Sequence, residues 1–300
     1  MADVSVIIPT HNRQVQVREA IDSVLVQSEP VREVIVVDDG STDDTLEQLA
    51  RYGSRIRILH QRQAGASAAR NLGMQAARGD WIAFLDDDDV WLETKIARQI
   101  ELVNKNAALG LVYCSDHAVD EQLRTLYTRT AAPENRGDVF ERLLIKNFIF
   151  TSCVIARREA IERAGYMQLE FRFAQDWDLW LKIAAQSLVD FAPEPLVLYR
   201  QSSSGCLTRD LTFVERLGEL QAIQERALSF RRVSAAVRNS ALSELELQWA
   251  VNWLNEGKPT RALPHVLRAA TAQPMNLEAY RLLLYSLVPK QLRGWFKRLS

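Results

Sequence analysis

Along the first hundred residues the apolar positions fall into short unbroken runs separated by amphipathic stretches. Val4-Ser-Val-Ile-Ile-Pro-Thr10 is one run, and Val17, Ile21, Val24 and Leu25 follow it at helical spacing. Glu33-Val-Ile-Val-Val-Asp38 repeats the plan: Asp39 and Gly40 turn the chain, and Ser41 or Thr42 is placed to cap a helix through Leu46 and Leu49. Arg55-Ile-Arg-Ile-Leu59 predicts a third strand and Gly65–Met74 a helix that starts on small residues. Trp81-Ile-Ala-Phe-Leu85 has no polar alternation, so both of its faces should be covered, and the pattern of Ile96, Ile100 and Val103 predicts a helix beginning at Trp91. Four strands alternating with four helices predict an α/β fold with a mostly parallel central sheet and helices on both faces. Right-handed crossovers then bring the strand C-termini to one rim.

The pattern changes from Leu109 onward. Leu109–Cys114, Leu126–Arg129 and Phe150–Ala156 read as strands, Gly137–Lys146 as an amphipathic helix, and Leu188–Arg200 as a strand or pair of strands punctuated by Pro193 and Pro195. In Gln175–Ala184 the residues Trp177, Trp180, Leu181 and Ala184 recur at helical spacing, with Asp176 at the first turn. Ser202-Ser-Ser-Gly205 is the evident linker, and everything beyond Asp210 is helical in pattern. The expected organisation is a domain over 1–209, in two halves at 1–108 and 109–209, and a helical extension over 210–300.

The chemistry concentrates where the fourth run ends, in Asp86, Asp87, Asp88 and Asp89. Four adjacent carboxylates repel one another unless a cation neutralises them, and hard divalent ions such as Mg²⁺ or Mn²⁺ take oxygen ligands and retain substrate phosphates. An acidic helix N-terminus accounts for Asp89 but not for four acids. Ligands in open α/β sheets bind at the rim of strand C-termini, and Thr10, Asp38, Asp39, Gly40 and Asp86–Asp88 are all predicted there.

Composition narrows the class. The chain of 300 residues is 47% hydrophobic with a formal net charge of −1, which argues against a generally basic nucleic-acid binder. The balance is uneven: residues 211–300 hold thirteen Lys/Arg against seven Glu, and residues 1–210 hold twenty-four against thirty-one Asp/Glu. Cys114, Cys153 and Cys206 are odd in number and widely spaced, which fits buried thiols in a reducing compartment. Met1-Ala-Asp3 leads straight into a strand, so no secretory signal is expected, and no window has the roughly 18 apolar residues of a membrane span. A cytoplasmic location is expected.

Five ordered segments carry a resemblance: Val4–Arg13, Val37–Thr45, Ala69-Arg-Asn-Leu-Gly73, Phe84–Asp89 and Gln175–Leu181. Together they resemble the family 2 glycosyltransferases with the GT-A fold, over about residues 4–205. The resemblance implies a Rossmann-like sheet. It also implies transfer of a sugar from a nucleotide-diphosphate sugar to an acceptor hydroxyl, with inversion at the anomeric carbon and a divalent metal on the diphosphate. By the same resemblance Pro9 and Thr10 lie against the nucleotide and Asp39 pairs with the base edge, a carboxylate suited to the N3–H of uracil or thymine. Asp38 braces its loop, Arg70 sits near the nucleotide, and Asn71 and Gly73 serve turn and packing. Asp86 and Asp87 belong to the donor site, with Asp86 at the ribose, while Asp88 is the metal ligand and Asp89 a helix cap. Asp176 is the expected base, Asp178 structural, and Trp177 and Trp180 either core or a wall of the acceptor site.

Two positions depart from the family pattern. Gln175 stands where an acid is common, and Tyr199-Arg200 is followed by Gln201-Ser202 rather than a nearby His, which shifts phosphate charge onto Arg200. His11, His60, His117 and His265 are scattered, and none is expected to bind metal. Trp249, Ala250, Trp253, Leu254, Gly257, Ala262, Leu263, Leu267, Ala270 and Pro274 resemble one degenerate tetratricopeptide unit with its turn at Gly257-Lys-Pro259. The segment Pro289–Leu299 mixes four cations with Leu292, Trp295, Phe296 and Leu299. It suits peripheral contact with the inner face of an anionic membrane, or equally a solvated basic helix end. The resulting expectation is an inverting, metal-dependent transferase, UDP or dTDP sugars favoured, working in bacterial cell-surface polysaccharide or lipid-linked glycan assembly. The alternatives are a non-catalytic interaction protein on the same fold and a sugar nucleotidyltransferase, though the latter would normally carry a Gly-rich basic loop where Pro9–Arg13 stands.

Overall fold

The computed structural model describes residues 3–201 and 210–287, the side chain of Leu287 excepted. Contacts divide the chain into two units, one of residues 1–140 and 148–209, the other of 141–147 and 210–300. Cys206 and the segment 289–300 fall outside the described residues.

The first unit opens with β1 (Val4–Thr10), α1 (Gln16–Leu25), β2 (Glu33–Asp38), α2 (Thr45–Ala50), β3 (Arg57–His60), α3 (Ala66–Ala76) and β4 (Trp81–Phe84). β5 (Val90–Trp91), α4 (Lys95–Lys105), β6 (Leu109–Val119) and β7 (Thr125–Arg129) follow, and the chain then passes through α5 (Phe140–Ile145), which belongs to the second unit but for its first residue. Then come β8 (Ile155–Arg157), α6 (Arg158–Ala164), α7 (Gln175–Ala184) and β9 (Leu188–Arg200). The strands lie in the order β3-β2-β1-β4-β8-β6-β9-β5, with β7 beside β6. β3, β2, β1 and β4 run parallel, and β6 and β9 run parallel to each other. Thr10 pairs with Asp38 and Asp38 with His60, so the strand ends stand level at one rim.

The runs without polar alternation are buried on both faces: Ile7, Ile8, Ile35, Ile82, Phe84 and Leu85 are inaccessible. Gly73 lets α3 press onto β1, since a Cβ there would lie 2.6 Å from Cγ2 of Ile7. Trp180 is fully buried edge-on to Phe84, with ring centroids 5.5 Å apart, and Trp177 is 3% exposed. Both tryptophans are therefore core, not an acceptor wall.

Three local expectations are not met, and a fourth, left open between two forms, resolves to one of them. The helix expected from Trp91 begins at Lys95, because Trp91 is taken into β5 opposite Val197 and its indole Nε1 donates to the carbonyl of Ser152 at 2.8 Å. The strand expected over Phe150–Ala156 is a 3₁₀ turn at Thr151–Cys153 followed by the three-residue β8. β8 is antiparallel to β4, with Ala83 opposite Ile155, so its N-terminal flank arrives at the rim. Neither Ser41 nor Thr42 caps α2: Oδ1 of Asp43 accepts from the N–H of Thr45 at 3.0 Å, and Oγ of Ser41 accepts from the N–H of Asn12 at 2.9 Å. Leu188–Arg200 is one strand, and the shift of register between Cys114/Ala192 and Ser115/Pro195 absorbs the prolines as a bulge.

In the second unit α8 (Phe213–Ala227), α9 (Ala235–Asn255), α10 (Pro259–Ala272) and α11 (Leu277–Leu287) follow one another. Thr212 and Glu215 form a capping box on α8. Gly257 turns the chain at φ +72° and Pro259 occupies the first turn of α10, where its missing N–H costs nothing. Leu247, Ala250, Leu254, Ala262, Val266, Ala269, Ala279 and Leu282 form the core of this unit. Leu267, an expected member, is 49% exposed, and Val266 takes the inward position. Among the described residues no helix is long and apolar enough to cross a membrane.

Candidate functional site

At the rim the loops are tied together before any ligand is considered. The N–H of Asp39 donates to the carbonyl of Thr10 at 2.8 Å, which locks the end of β2 to the end of β1. Pro9 is buried within β1 opposite Val37. Asp38 is fully buried and accepts from Nδ1 of His60 at 2.7 Å and from the N–H of Ser41 at 3.3 Å, so it braces its loop. Asp39 holds the next loop as well: Oδ1 accepts from Nε2 of Gln61 at 2.7 Å and the N–H of Ala64 at 2.8 Å, and Oδ2 from the N–H of Gly65 at 2.8 Å. Gly40 is required between them, since its φ is +76° and a Cβ would sit 2.8 Å from the backbone nitrogen of Gln63.

The acid cluster is spread among different partners. Oγ1 of Thr10 donates to Oδ2 of Asp87 at 2.7 Å, and the guanidinium of Arg13 spans Asp87, at 3.3 Å, and Asp88. Arg70, 4% exposed, pairs with Asp86 through Nη2, while its Nε and Nη1 are buried without an acceptor. Buried donors left open cost free energy, so this guanidinium is a place where ligand oxygens would be stabilising. Asp89 is not a helix cap. Its Oδ2 accepts from Oγ of Ser152 at 2.5 Å and its Oδ1 from the N–H of Arg200 at 2.8 Å, in a position 1% exposed.

The same 3₁₀ turn reaches the expected base. Oγ1 of Thr151 donates to Oδ2 of Asp176 at 2.9 Å, the N–H of Trp177 donates to Oδ1 of Asp176 at 2.8 Å, and the N–H of Asp86 donates to Oγ of Ser152 at 3.1 Å. Thr151 and Ser152 thus join the acid cluster to the half-buried Asp176. Asn71 supports the loop before α7, with Nδ2 donating to the carbonyl of Met167 at 2.9 Å and Oδ1 accepting its N–H at 3.0 Å. Asp178 is buried against Lys182 at 2.6 Å and belongs to the core of this helix.

Electrostatics follow from crowding. Burial pushes the Asp87 carboxyl up to about 7, with Asp88 and Asp86 adding to the effect and Arg13 and Thr10 opposing it. Burial also holds Asp89 well above the carboxylate range, reinforced by Asp88 and Asp86. Asp176 is raised by burial and by Asp86, while Thr151, Arg70 and the Trp177 N–H pull it back. Burial alone would lower the pKa of Arg13, but Asp87 and Asp88 hold it above its ordinary value.

The structure therefore brings Thr10, Arg70, Asp86, Asp87, Asp88 and Asp176 around one rim. Arg200 stands apart in one respect: its backbone meets Asp89, but its guanidinium pairs with Glu19 at 2.6 Å and its Nε is buried without an acceptor. Arg13, Thr151, Ser152 and Tyr199 were missed from sequence. Arg13 could have been found by asking which loop cation balances four acids. Burial first, then Asp89 and Asp86, keep the Tyr199 hydroxyl protonated beside the cluster. Thr151 and Ser152 left no signal inside an apolar run. Among the described residues no three His, Cys, Asp or Glu side chains gather as a metal-binding group. The donor chemistry nevertheless fits a hard cation completed by ligand oxygens, since Asp86 and Asp88 keep 28% and 23% of their side chains open.

Comparison with known proteins gives this geometry a family. The model of glycosyl transferase family 2 matches residues 5–165. A glycosyltransferase of Rickettsia prowazekii is 30% identical over 223 residues, 72% of this chain and 70% of that protein. A putative teichuronic acid biosynthesis glycosyltransferase of Bacillus subtilis, TuaG, is 32% identical over 66% of this chain and 78% of its own length. Some relatives are much longer: the match spans 34% of a glycosyltransferase of Rickettsia felis. Among solved structures, TarS 1–349 of S. aureus in complex with UDP covers 98% of this chain and 86% of its own, at TM-score 0.68 and 17% identity. The mannosyltransferase PcManGT of Pyrobaculum calidifontis, in complex with GDP-Man and Mn²⁺, covers 99% and 85% at TM-score 0.63 and 20% identity. These likenesses show a GT-A fold. With the family model spanning more than half of its length, the chain belongs to glycosyl transferase family 2.

Proposed function

We propose that this glycosyltransferase moves a sugar from a nucleotide-diphosphate sugar to an acceptor hydroxyl with inversion, and that Asp176 is the base. The observation that carries the reading is the span from Asp86 through Ser152 and Thr151 to Asp176, which sets a carboxylate beside a donor-type acid cluster. In this mechanism Asp176 takes the proton of the acceptor hydroxyl as its oxygen bonds to the anomeric carbon, on the face opposite the departing diphosphate. Arg70 stabilises negative charge through its two open N–H groups. Pro9 and Thr10 shape the nucleotide pocket, and Asp39, whose Oδ2 takes a single protein donor, accepts from the N3–H of uracil or thymine. Asp86 and Asp87 complete the donor site. Arg200 approaches the phosphates only if its contact with Glu19 opens.

Asp88 is the residue that would hold Mg²⁺ or Mn²⁺, shared with Arg13. When bound, the ion supplies charge neutralisation on the leaving diphosphate. The reading draws support from the nucleotide sugars named with the neighbours, UDP-GlcNAc for TarS and GDP-Man for PcManGT, and from the Mn²⁺ of the latter. TuaG, a putative teichuronic acid biosynthesis enzyme by name, supports work in cell-surface polysaccharide assembly. A cytoplasmic location and a glycan or lipid-linked acceptor are part of the same proposal. No feature of the rim favours a nucleotidyltransferase or a non-catalytic role.

Thermal stabilisation by a panel of nucleotide diphosphates and their sugars, with Mn²⁺, Mg²⁺ or EDTA, tests the donor site. A metal-dependent shift confined to uridine or thymidine nucleotides is expected, and no shift with any member refutes the donor assignment. Asp176→Asn should then lower transfer by about 10²–10⁴-fold while leaving that shift in place.

A further inference from the structure

A cation of the chain itself sits where the acid cluster has oxygens to offer. Nη1 of Arg13 lies between Oδ1 of Asp87, at 3.3 Å, and Oδ2 of Asp88, so a single nitrogen bridges two carboxylates. A hard divalent ion seeks the same oxygens. The neighbouring acids are committed elsewhere, Asp86 to Arg70 and Asp89 to Ser152 and the backbone of Arg200.

The backbone beneath Arg13 is fixed. Its N–H donates to Oγ1 of Thr45 at 3.2 Å, and its carbonyl accepts from the N–H of Val17 at 3.1 Å, in the turn that leads into α1. Asn12, at φ +53°, holds the adjoining loop, its Oδ1 accepting from the N–H of Thr42 at 2.7 Å. Arg13 can therefore leave the acids by rotation about its side-chain bonds while the loop stays in place.

Two cations on one pair of oxygens repel each other, so a guanidinium on Asp88 opposes a divalent ion there. A diphosphate changes the balance. Its oxygens can accept from the displaced guanidinium and also complete the shell of the ion.

We infer that Arg13 is a placeholder cation: it neutralises Asp87 and Asp88 before the donor arrives, weakens metal binding to the donor-free protein, and makes metal and diphosphate bind together. Resting on the donor site proposed above, this role sets how that site fills. It makes Arg13 a positioning residue that acts through Asp88.

Titration with Mn²⁺, followed by the electron paramagnetic resonance of the free ion and with no nucleotide present, tests this apart from transfer. The unaltered chain should bind Mn²⁺ weakly, and Arg13→Gln should bind it about 10- to 100-fold more tightly. A merely structural arginine predicts the reverse, since its loss would loosen the site. UDP or dTDP, after correction for the ion that the nucleotide holds in solution, should tighten Mn²⁺ binding by a larger factor in the unaltered chain than in Arg13→Gln. Arg13→Lys, which keeps a charge near the acids on a shorter stem, serves if Arg13→Gln does not fold, and should tighten donor-free binding in the same direction. Donor-free binding no tighter in the variant, or equal tightening by nucleotide in both proteins, would overturn the role of Arg13 while the donor site stands, as long as the unaltered chain binds Mn²⁺ with UDP or dTDP. No Mn²⁺ binding by either protein under any of these conditions would refute the donor site and the role of Arg13 together.

Discussion

The rim of the sheet and the helical unit use side chains in opposite ways. At the rim, residues more than sixty positions apart meet through charged and hydroxyl groups: Thr10 with Asp87, Ser152 with Asp89, Arg200 with Asp89. In the helical unit small apolar residues, Ala250, Ala262, Ala269 and Ala279, let neighbouring helices pack closely, and the outer face of α11 stays apolar. The difference teaches where precision is needed. A chemical site requires polar groups held in place by partners from several elements, whereas helix packing requires apolar area and close approach but little polar register.

The contrast can be broken at its largest point by Trp180→Ala, which empties the space beside Phe84 beneath the rim. It should cost about 3–5 kcal/mol in chemical denaturation and take the site with it. Gly73→Ala should cost about 1–3 kcal/mol, because the new methyl meets Ile7 on β1; an unchanged midpoint would mean that α3 shifts freely.

Thr151→Val sharpens the comparison at Asp176, the proposed base. Removing the hydroxyl withdraws a hydrogen bond that favours the ionised Asp176, which burial and Asp86 already raise and Arg70 and the Trp177 N–H lower. As the proposed base, Asp176 must be ionised to accept a proton, so the acid limb of kcat should move to higher pH, with the rate above that limb least affected. A limb that stays in place would show that Asp176 is not the titrating group. The smallest effect belongs to the helical unit: Glu246→Gln weakens contacts with Arg268, at 2.7 Å, and His265, at 2.6 Å, and should cost about 1 kcal/mol or less in a thermal melt. A larger loss would mean that the helical unit depends on polar precision after all.

How much was legible beforehand depended on the range of the interaction. The four strands of residues 4–85 and helix α7 could be read because their patterns are set by burial within one element. The acids could be placed at the rim because strand direction in a parallel sheet is set by right-handed crossovers. The turn at Thr151–Cys153 and the reversal of β8 could not be read, because an apolar run looks the same in either direction and in either conformation.

By itself the sequence determined the alternating α/β plan, the position of the acid cluster, the presence of Asp176 at the start of a helix, and the helix–turn–helix around Gly257. Each rests on local periodicity, on a turn residue or on a motif within one segment. Only the tertiary structure decided that Asp89 is a buried acceptor for Ser152 and Arg200, that Arg13 lies across Asp87 and Asp88, that Trp91 joins a strand, and that Leu277, Tyr280 and Leu284 face outward. A side chain's partner depends on which distant backbone the fold brings within about 3 Å, a distance that no spacing along the chain encodes.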